Sequence, residues 1–294
     1  MPEHLPPPPE VTLDAHQHFW HYRPARDTWI TAEMSVLQRD FLPAEYSAEA
    51  HANGIAASVA VQVGQSEDET QFLLDLAAQN DRIAGVVGWV DLQSPRLEER
   101  LLHFSREPKL CGFRHIAQSE PDDRFLLRPN FLRGIAVLHQ FGFAYDILIY
   151  PRQLPAAIEL ASRFPRQRFV LDHLAKPEIK AQRLEPWAAQ VKSLAQNQNV
   201  FCKLSGLVTE AHWKLWQPQH FTPCLDVAFE SFGPHRLMFG SDWPVCLLAA
   251  SYAQVKQIVE AYTDTHAPRH KQNIFGGNAI RFYQLKAAAH GLAA

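Results

Sequence analysis

Apolar residues gather in eight short runs along the chain, over residues 11–15, 57–63, 83–90, 110–115, 143–148, 168–172, 200–204 and 236–239. Many of these runs are continuous rather than alternating, the pattern of strands buried on both faces of a parallel sheet. Between them the apolar positions recur at helical spacing. Ser66-Glu-Asp-Glu69 predicts a capping box that opens a helix whose buried stripe is Phe72, Leu73, Leu76 and Ala77. Ser94-Pro95 predicts an N-cap with proline in the first turn, and Leu97, Leu101 and Leu102 form the inner side of that helix. Further helices are predicted over 129–140, 153–163, 185–196, 223–232, 252–263 and 279–286, with Gly142 and Gly233 just beyond the ends of two of them. Strict alternation of strand and helix around eight strands predicts a single (β/α)8 TIM barrel over residues 11–286, in the α/β class. There is no interdomain linker and no internal repeat.

The stretch from Phe19 to Leu42 breaks the alternation, being too long for an ordinary strand-to-helix loop and showing no clear period. It carries Phe19, Trp20, Tyr22 and Trp29, which makes it a lid or substrate wall if it lies at the catalytic rim, and plain packing if it lies outside the barrel. Residues 1–10 read as a flexible polyproline lead-in, and residues 287–294 as a fraying Ala-rich tail. The lead-in lacks the cationic start and apolar stretch of a signal peptide, so a cytoplasmic location is the expectation.

Composition narrows the function classes. Lys and Arg number 28 against 31 Asp and Glu, for a net charge of −3 with no basic run, which argues against a nucleic-acid partner. No apolar stretch is long enough to span a bilayer. Cys111, Cys202, Cys224 and Cys246 lie far apart without a Cys-x-x-Cys pair and read as small core residues in a reducing compartment.

Chemistry concentrates at the ends of the apolar runs. His16 and His18, one residue apart, point the same way from a strand, toward one metal ion or one polarised carbonyl. His173 follows the sixth run and Asp242 the eighth, so a closed barrel brings all four to one rim, where a TIM barrel keeps its active site. Arg114, at the end of the fourth run, offers a fork of donors suited to a carboxylate or paired hydroxyls, or else a salt bridge at the rim. His115, Asp146, Gln62 and Trp89 end other runs and are expected to line the pocket, as are Trp20 and Trp29 of the long loop. Asp242 has a second reading as the N-cap of the turn at Trp243-Pro244.

Asp14-Ala-His-Gln-His-Phe-Trp20, Gly112-Phe-Arg-His115, Asp172-His-Leu-Ala-Lys-Pro177, Lys203-Leu-Ser-Gly-Leu207 and Gly240-Ser-Asp-Trp-Pro244 together resemble the amidohydrolase superfamily. More narrowly they resemble its amidohydrolase-related branch of lactonases acting on L-fucono-, L-rhamnono-, sulfomucono- and pyrone-dicarboxylate lactones. The resemblance implies that His16, His18 and His173 surround the reacting carbonyl or a single divalent metal, zinc by preference, with Asp242 as the general base. It further implies that Glu210 is an added metal ligand; read from the residues alone, Glu210 is as well a surface carboxylate.

The chain departs from the two-metal members of the superfamily, because its fourth run ends in Arg114-His115 and its fifth in Asp146. One metal, or catalysis with none, is therefore the expectation. The leading implication is a hydrolase that opens a sugar lactone to its aldonic acid. The alternative is a metal-dependent hydrolase or decarboxylase of a muconolactone, pyrone or aromatic acid, whose carboxylates would call for several inward arginines where only Arg114 is in place. A catalytically silent barrel would have lost one or more of the four rim residues.

Overall fold

The computed structural model describes residues 11–286; the expected lead-in over 1–10 and tail over 287–294 lie outside the described residues. Eight parallel strands follow one another around the sheet: β1 (Leu13–Gln17), β2 (Ala57–Val61), β3 (Ile83–Gly88), β4 (Leu110–His115), β5 (Ala144–Ile147), β6 (Phe169–Leu171), β7 (Val200–Leu204) and β8 (Leu237–Phe239). The seam between β8 and β1 is closed just above the strands. There the Asp242 amide donates to the His16 carbonyl at 2.8 Å and the His18 amide donates to the Trp243 carbonyl at 2.7 Å. The bonds that close the barrel are thus the bonds that set His16 and His18 beside Asp242.

Helices alternate with the strands as the pattern predicts: α2 (Glu67–Gln79), α3 (Leu97–Phe104), α4 (Pro129–Gln140), α5 (Leu154–Arg163), α6 (Trp187–Ala195), α7 (Thr222–Phe232) and α8 (Tyr252–His266), with α9 (Asn278–Tyr283) last. Helix α1 (Pro43–Ala52), between β1 and β2, has no clear signal in the sequence. It buries only Pro43, Tyr46 and Ala50, too narrow a stripe to stand out from a loop. One predicted capping box is incomplete, and one predicted start shifts. Ser66 accepts from the Glu69 amide as a cap should, but the Glu69 carboxylate turns to the amides of Val63 and Gly64 instead of completing the box. Helix α3 begins at Leu97, after Ser94 has accepted from the Arg96 amide in a turn.

Inside the barrel, the two-residue period of the strands builds layers. Ala144, Val170 and Met238 form part of an apolar floor, closed from below by Ala279, Phe282 and Tyr283 of α9. Two residues further along the same strands stand Asp146, Asp172 and Gly240, with Lys203 of β7 beside them, and two further again stands Asp242. In β1 the alternation is interrupted. Leu13 and Ala15 join the apolar floor, and Asp14 turns outward to Tyr46 of α1 and Tyr252 of α8. A register irregularity between Asp14 and Gln17 then lets His16 and His18 face the interior as well.

The long β1–α1 segment wraps over the rim. Phe19, Trp20, Ile30, Leu37 and Phe41 are buried in the main core, and Trp20 and Phe41 pair as a short antiparallel bridge. All four cysteines are buried and free. Among the described residues no helix is long and apolar enough to cross a membrane.

Candidate active site

The four rim residues converge. His18 Nδ1 lies 2.7 Å from the Val61 carbonyl, which can only accept, so this nitrogen carries a proton and Nε2 faces the other rim residues. That Nε2 is 3.2 Å from His16 Nε2 and 3.2 Å from Asp242 Oδ1, and the third edge, His16 Nε2 to Asp242 Oδ1, is 3.8 Å. His173 Nε2 stands 3.9 Å from the same carboxylate oxygen. Its Nδ1 is held at 2.8 Å by the Ser205 hydroxyl.

This geometry suits one small cation. A tetrahedral zinc with bonds of about 2.0–2.1 Å separates its ligand atoms by roughly 3.3 Å, close to the spacing of the His16, His18 and Asp242 atoms. Among the described residues, the same three form one of two groups whose ligand atoms all approach within 4.8 Å; the other is His16, Asp172 and His173. Asp172 is already committed to Lys203 at 3.0 Å and Arg114 at 3.0 Å, so the first group is the better seat for a metal. Glu210 belongs to neither group and faces Lys176, with Oε1 to Nζ at 3.8 Å. Elemental analysis of the purified protein should show no more than about one zinc per chain, and His18→Ala should lower that content. Two firmly held ions per chain would contradict this arrangement.

Protonation states fit the same picture. Burial holds His16 well below the usual imidazole value, with the Lys203 charge acting in the same direction and Asp172 opposing. Burial also brings His173 down to about 4, against the opposing charges of Asp242 and Asp172. Both rings are therefore neutral at pH 7, as metal ligands and hydrogen-bond acceptors must be. Burial works to protonate Asp242 too, but the charge that His173 takes up in acid, below about pH 4, outweighs it together with the His18 hydrogen bond and His16, and keeps the carboxyl well below the usual carboxylate range. In metal-free protein the His173 ring nitrogens should keep their neutral NMR shifts on acidification until about pH 4. Titration near the ordinary imidazole value of about 6.5 would show that His173 is solvated rather than buried.

Local backbone is arranged around these side chains. Asp242 has φ +57°, a left-handed conformation that turns its carboxylate to the histidines while its carbonyl accepts from the Cys246 amide at 2.9 Å. The alternative role as a cap for the Trp243-Pro244 turn is thereby set aside. Residues 173–176 all have φ between 52° and 58°, a left-handed turn of four non-glycine residues that costs on the order of 1–2 kcal/mol each. Lys176 closes this turn with its amide on the His173 carbonyl at 2.7 Å, and the Trp187 indole donates to the Leu174 carbonyl at 2.6 Å. Gly206, with φ +63°, must be glycine: a Cβ there would lie 2.6 Å from His173 Nδ1. Below Asp242, the Asp14 carboxylate accepts from the Ser241 amide at 2.9 Å, the Ser241 hydroxyl at 2.6 Å and the Tyr252 hydroxyl at 2.9 Å, locking the seam.

A buried charged network lies under the histidines. Lys203 Nζ reaches Asp146 at 2.6 Å, Asp172 at 3.0 Å and His16 Nδ1 at 3.1 Å, and Tyr283 of α9 donates to Asp146 at 2.7 Å. With the proton of His16 on Nδ1, facing Asp172 at 3.4 Å, Nε2 is free to bind a metal. With Nδ1 accepting from Lys203 instead, Nε2 becomes a donor toward His18 Nε2 at 3.2 Å. Neither Asp172 nor Lys203 was singled out from the sequence as a site residue; the readable signal was a lysine inside the otherwise apolar β7, whose side-chain face is the barrel interior.

A cavity of about 440 Å³ opens above, within the range of small-molecule sites. Its lining includes His18, His173, Asp242 and Arg114, together with the apolar Trp29, Met34, Val63, Val245 and Leu248 and the polar Gln118, Ser119, Lys176 and Glu210. Trp29 and Met34 make the long β1–α1 segment a cavity wall. Five expectations of direct substrate contact change. Trp20 is buried behind this wall with its indole donating to the Arg39 carbonyl. Gln62 is buried against Arg114, accepting from it and donating to its carbonyl at 3.0 Å. His115 stacks on Phe125 and pairs with Glu120 at 2.8 Å, and Asp146 lies in the network beneath the floor of the cavity. Trp89 likewise stays off the lining, its indole directed at His115. Arg114 does reach the cavity, and it also makes the rim salt bridge, with Nη1 3.0 Å from Asp172 and 3.3 Å from His16 Nε2.

The sequence matches the amidohydrolase family model described as Amidohydrolase over residues 13–285. The chain belongs to that family. It is 45% identical to an L-fucono-1,5-lactonase of Burkholderia multivorans across 95% of this chain and 98% of the relative. A second L-fucono-1,5-lactonase, from Burkholderia ambifaria, is 36% identical across 93% and 95%. Among solved structures, an amidohydrolase from Burkholderia multivorans with bound zinc superposes with a TM-score of 0.91 at 46% identity, over 94% of this chain and 99% of that one. As an amidohydrolase barrel, the present chain keeps its titratable cluster where the strands end, and its ligand spacing agrees with the ion found in that neighbour.

Proposed function

We propose that this amidohydrolase opens the ring of a sugar 1,5-lactone of the L-fucono or L-rhamnono type, releasing the aldonic acid. The observation that carries the reading is an ionised carboxylate, Asp242, facing the neutral His16 and His173 at the base of a cavity, in a chain 45% identical to an L-fucono-1,5-lactonase. Asp242 accepts a proton from water as the water oxygen bonds to the lactone carbonyl carbon. The new charge on the carbonyl oxygen is met by Arg114, whose guanidinium is fixed between Asp172 and Gln62 and needs no reorganisation. Collapse breaks the bond from the carbonyl carbon to the ring oxygen, and the proton on Asp242 passes to that oxygen, leaving a hydroxy acid. An ester leaving group needs less help than an amide, so this set suffices without a serine or cysteine nucleophile. A zinc ion held by His16, His18 and Asp242 would polarise the carbonyl and acidify the water.

The test is a pH-indicator assay over a panel of L- and D-aldonolactones, before and after chelation. Hydrolysis of L-fucono- or L-rhamnonolactone is the expected result. Indifference to the panel combined with turnover of a carboxylated muconolactone, pyrone or aromatic acid would replace this reading with the alternative.

A further inference from the structure

Two charged side chains at the cavity rim have unused hydrogen-bonding capacity. Lys176 follows the left-handed turn after β6, and Glu210 ends the short turn Val208–Glu210 after β7. Their charged atoms are 3.8 Å apart, near enough to pair electrostatically and too far for a hydrogen bond. Among the described residues, neither side chain makes a hydrogen bond to any other group, and both line the cavity that holds Asp242. The other charged groups there are engaged: Arg114 bonds to Asp172 and Gln62, and Asp242 faces His18.

An ammonium has three donors and a carboxylate about four acceptor sites, so the pair offers both signs of hydrogen bond at one edge of the site. Lys176 and Glu210 are only 18% and 25% exposed, so water satisfies them poorly and a ligand that replaces it gains accordingly. Adjacent hydroxyls on a ring match this edge, one donating its hydrogen to Glu210 while its neighbour's oxygen accepts from Lys176. The pair has no net charge, and its carboxylate disfavours a second carboxylate on the ligand. Trp213, whose indole is tethered to the Thr209 carbonyl at 2.9 Å, and Tyr150, beneath Lys176, supply apolar surface for the ring's C–H face.

The geometry points to Lys176 and Glu210 as the residues that read a vicinal diol on the substrate, setting a preference for neutral, polyhydroxylated lactones. This inference rests on the lactonase reading. It is tested with Glu210→Gln and Lys176→Met against a series of lactones each lacking one hydroxyl, with zinc content and thermal unfolding measured alongside. On the fully hydroxylated lactone each variant should lose roughly 10- to 150-fold in kcat/KM, the worth of a hydrogen bond to a charged group. On the deoxy lactones missing one of two adjacent hydroxyls, variant and wild type should converge to within about threefold, because the interaction is then already absent. Zinc content should not change.

A loss of equal size across the whole series would overturn the proposal, since it would place the pair on the reacting group. Loss of zinc in Glu210→Gln would overturn it in favour of a ligand role, and undiminished kcat/KM on every lactone would show that substrate does not touch the pair. If the wild type hydrolyses no lactone, the lactonase reading fails by itself. Calorimetric binding of a polyhydroxylated lactam then decides the diol reading alone: binding weakened by Glu210→Gln upholds it, and no binding, or binding unaffected by the variant, rejects it.

Discussion

Asp242→Asn should reduce lactone turnover by about two to four orders of magnitude, the usual worth of general acid–base catalysis, while leaving thermal unfolding close to wild type. Asparagine copies the shape of the carboxylate and tolerates the left-handed backbone at φ +57°, so the seam bond from the residue 242 amide to the His16 carbonyl survives. What is lost is the basic oxygen that His173, His18 and His16 keep ionised against the pull of burial. The same exchange removes a charged ligand from the candidate metal group, so zinc content must be measured alongside kcat. A variant that loses turnover at unchanged zinc content assigns Asp242 as the base. Near-native turnover would reduce it to a structural partner of the histidines.

The barrel and the rim were legible because both follow from periodicity. Continuous apolar runs alternating with amphipathic stretches leave few architectures, and titratable residues just past those runs must collect at one end. Depth was not legible. Trp20 and Trp29 belong to the same aromatic loop, yet Trp20 is anchored in the core and Trp29 faces the cavity, a difference set by the fold-back of the loop onto Phe41. Asp146 ends its strand as Arg114 does and pairs with it in register, but its side chain is held by Lys203 and Tyr283, so it stabilises rather than binds. Lys203 itself was hidden because the β7 sequence Val-Phe-Cys-Lys-Leu reads as one more buried run. Only the partners contributed by β5 and β6 explain a charge there, and strand spacing carries no information about partners. Matching a family position located Glu210 at the rim, but its pairing with Lys176 is visible only in the fold.

Lys203→Met should be the most damaging single change to stability. The side chain is fully buried and is the cation shared by Asp146 at 2.6 Å and Asp172 at 3.0 Å. Arg114 remains to balance Asp172, but Asp146 would keep only the Tyr283 hydroxyl. Breaking a buried pair by removing one partner costs about 3–5 kcal/mol. For a domain of this size that lowers the melting temperature by on the order of 10 °C. The loss should depend on pH with a definite sign. Burial already raises Asp146 to about 6, with Lys203 pulling the other way, so without the lysine its affinity for a proton rises further. The folded variant then holds a proton that the unfolded chain, with an ordinary carboxyl near 3.8, gives up. Wild-type Asp146 keeps the same proton up to about pH 6, so the variant's stability falls relative to wild type as pH rises above about 6, and the gap widens until the variant's further raised folded-state value is passed. Unfolding followed at pH 4.5 and pH 7.5 checks this, with the larger deficit expected at pH 7.5. Adding Asp146→Asn to Lys203→Met should recover much of the loss and flatten its pH dependence, because the stranded charge is gone. A single variant as stable as wild type at pH 7.5 would mean that water reaches this layer, and the polar network could not then be the rigid support on which His16 is oriented.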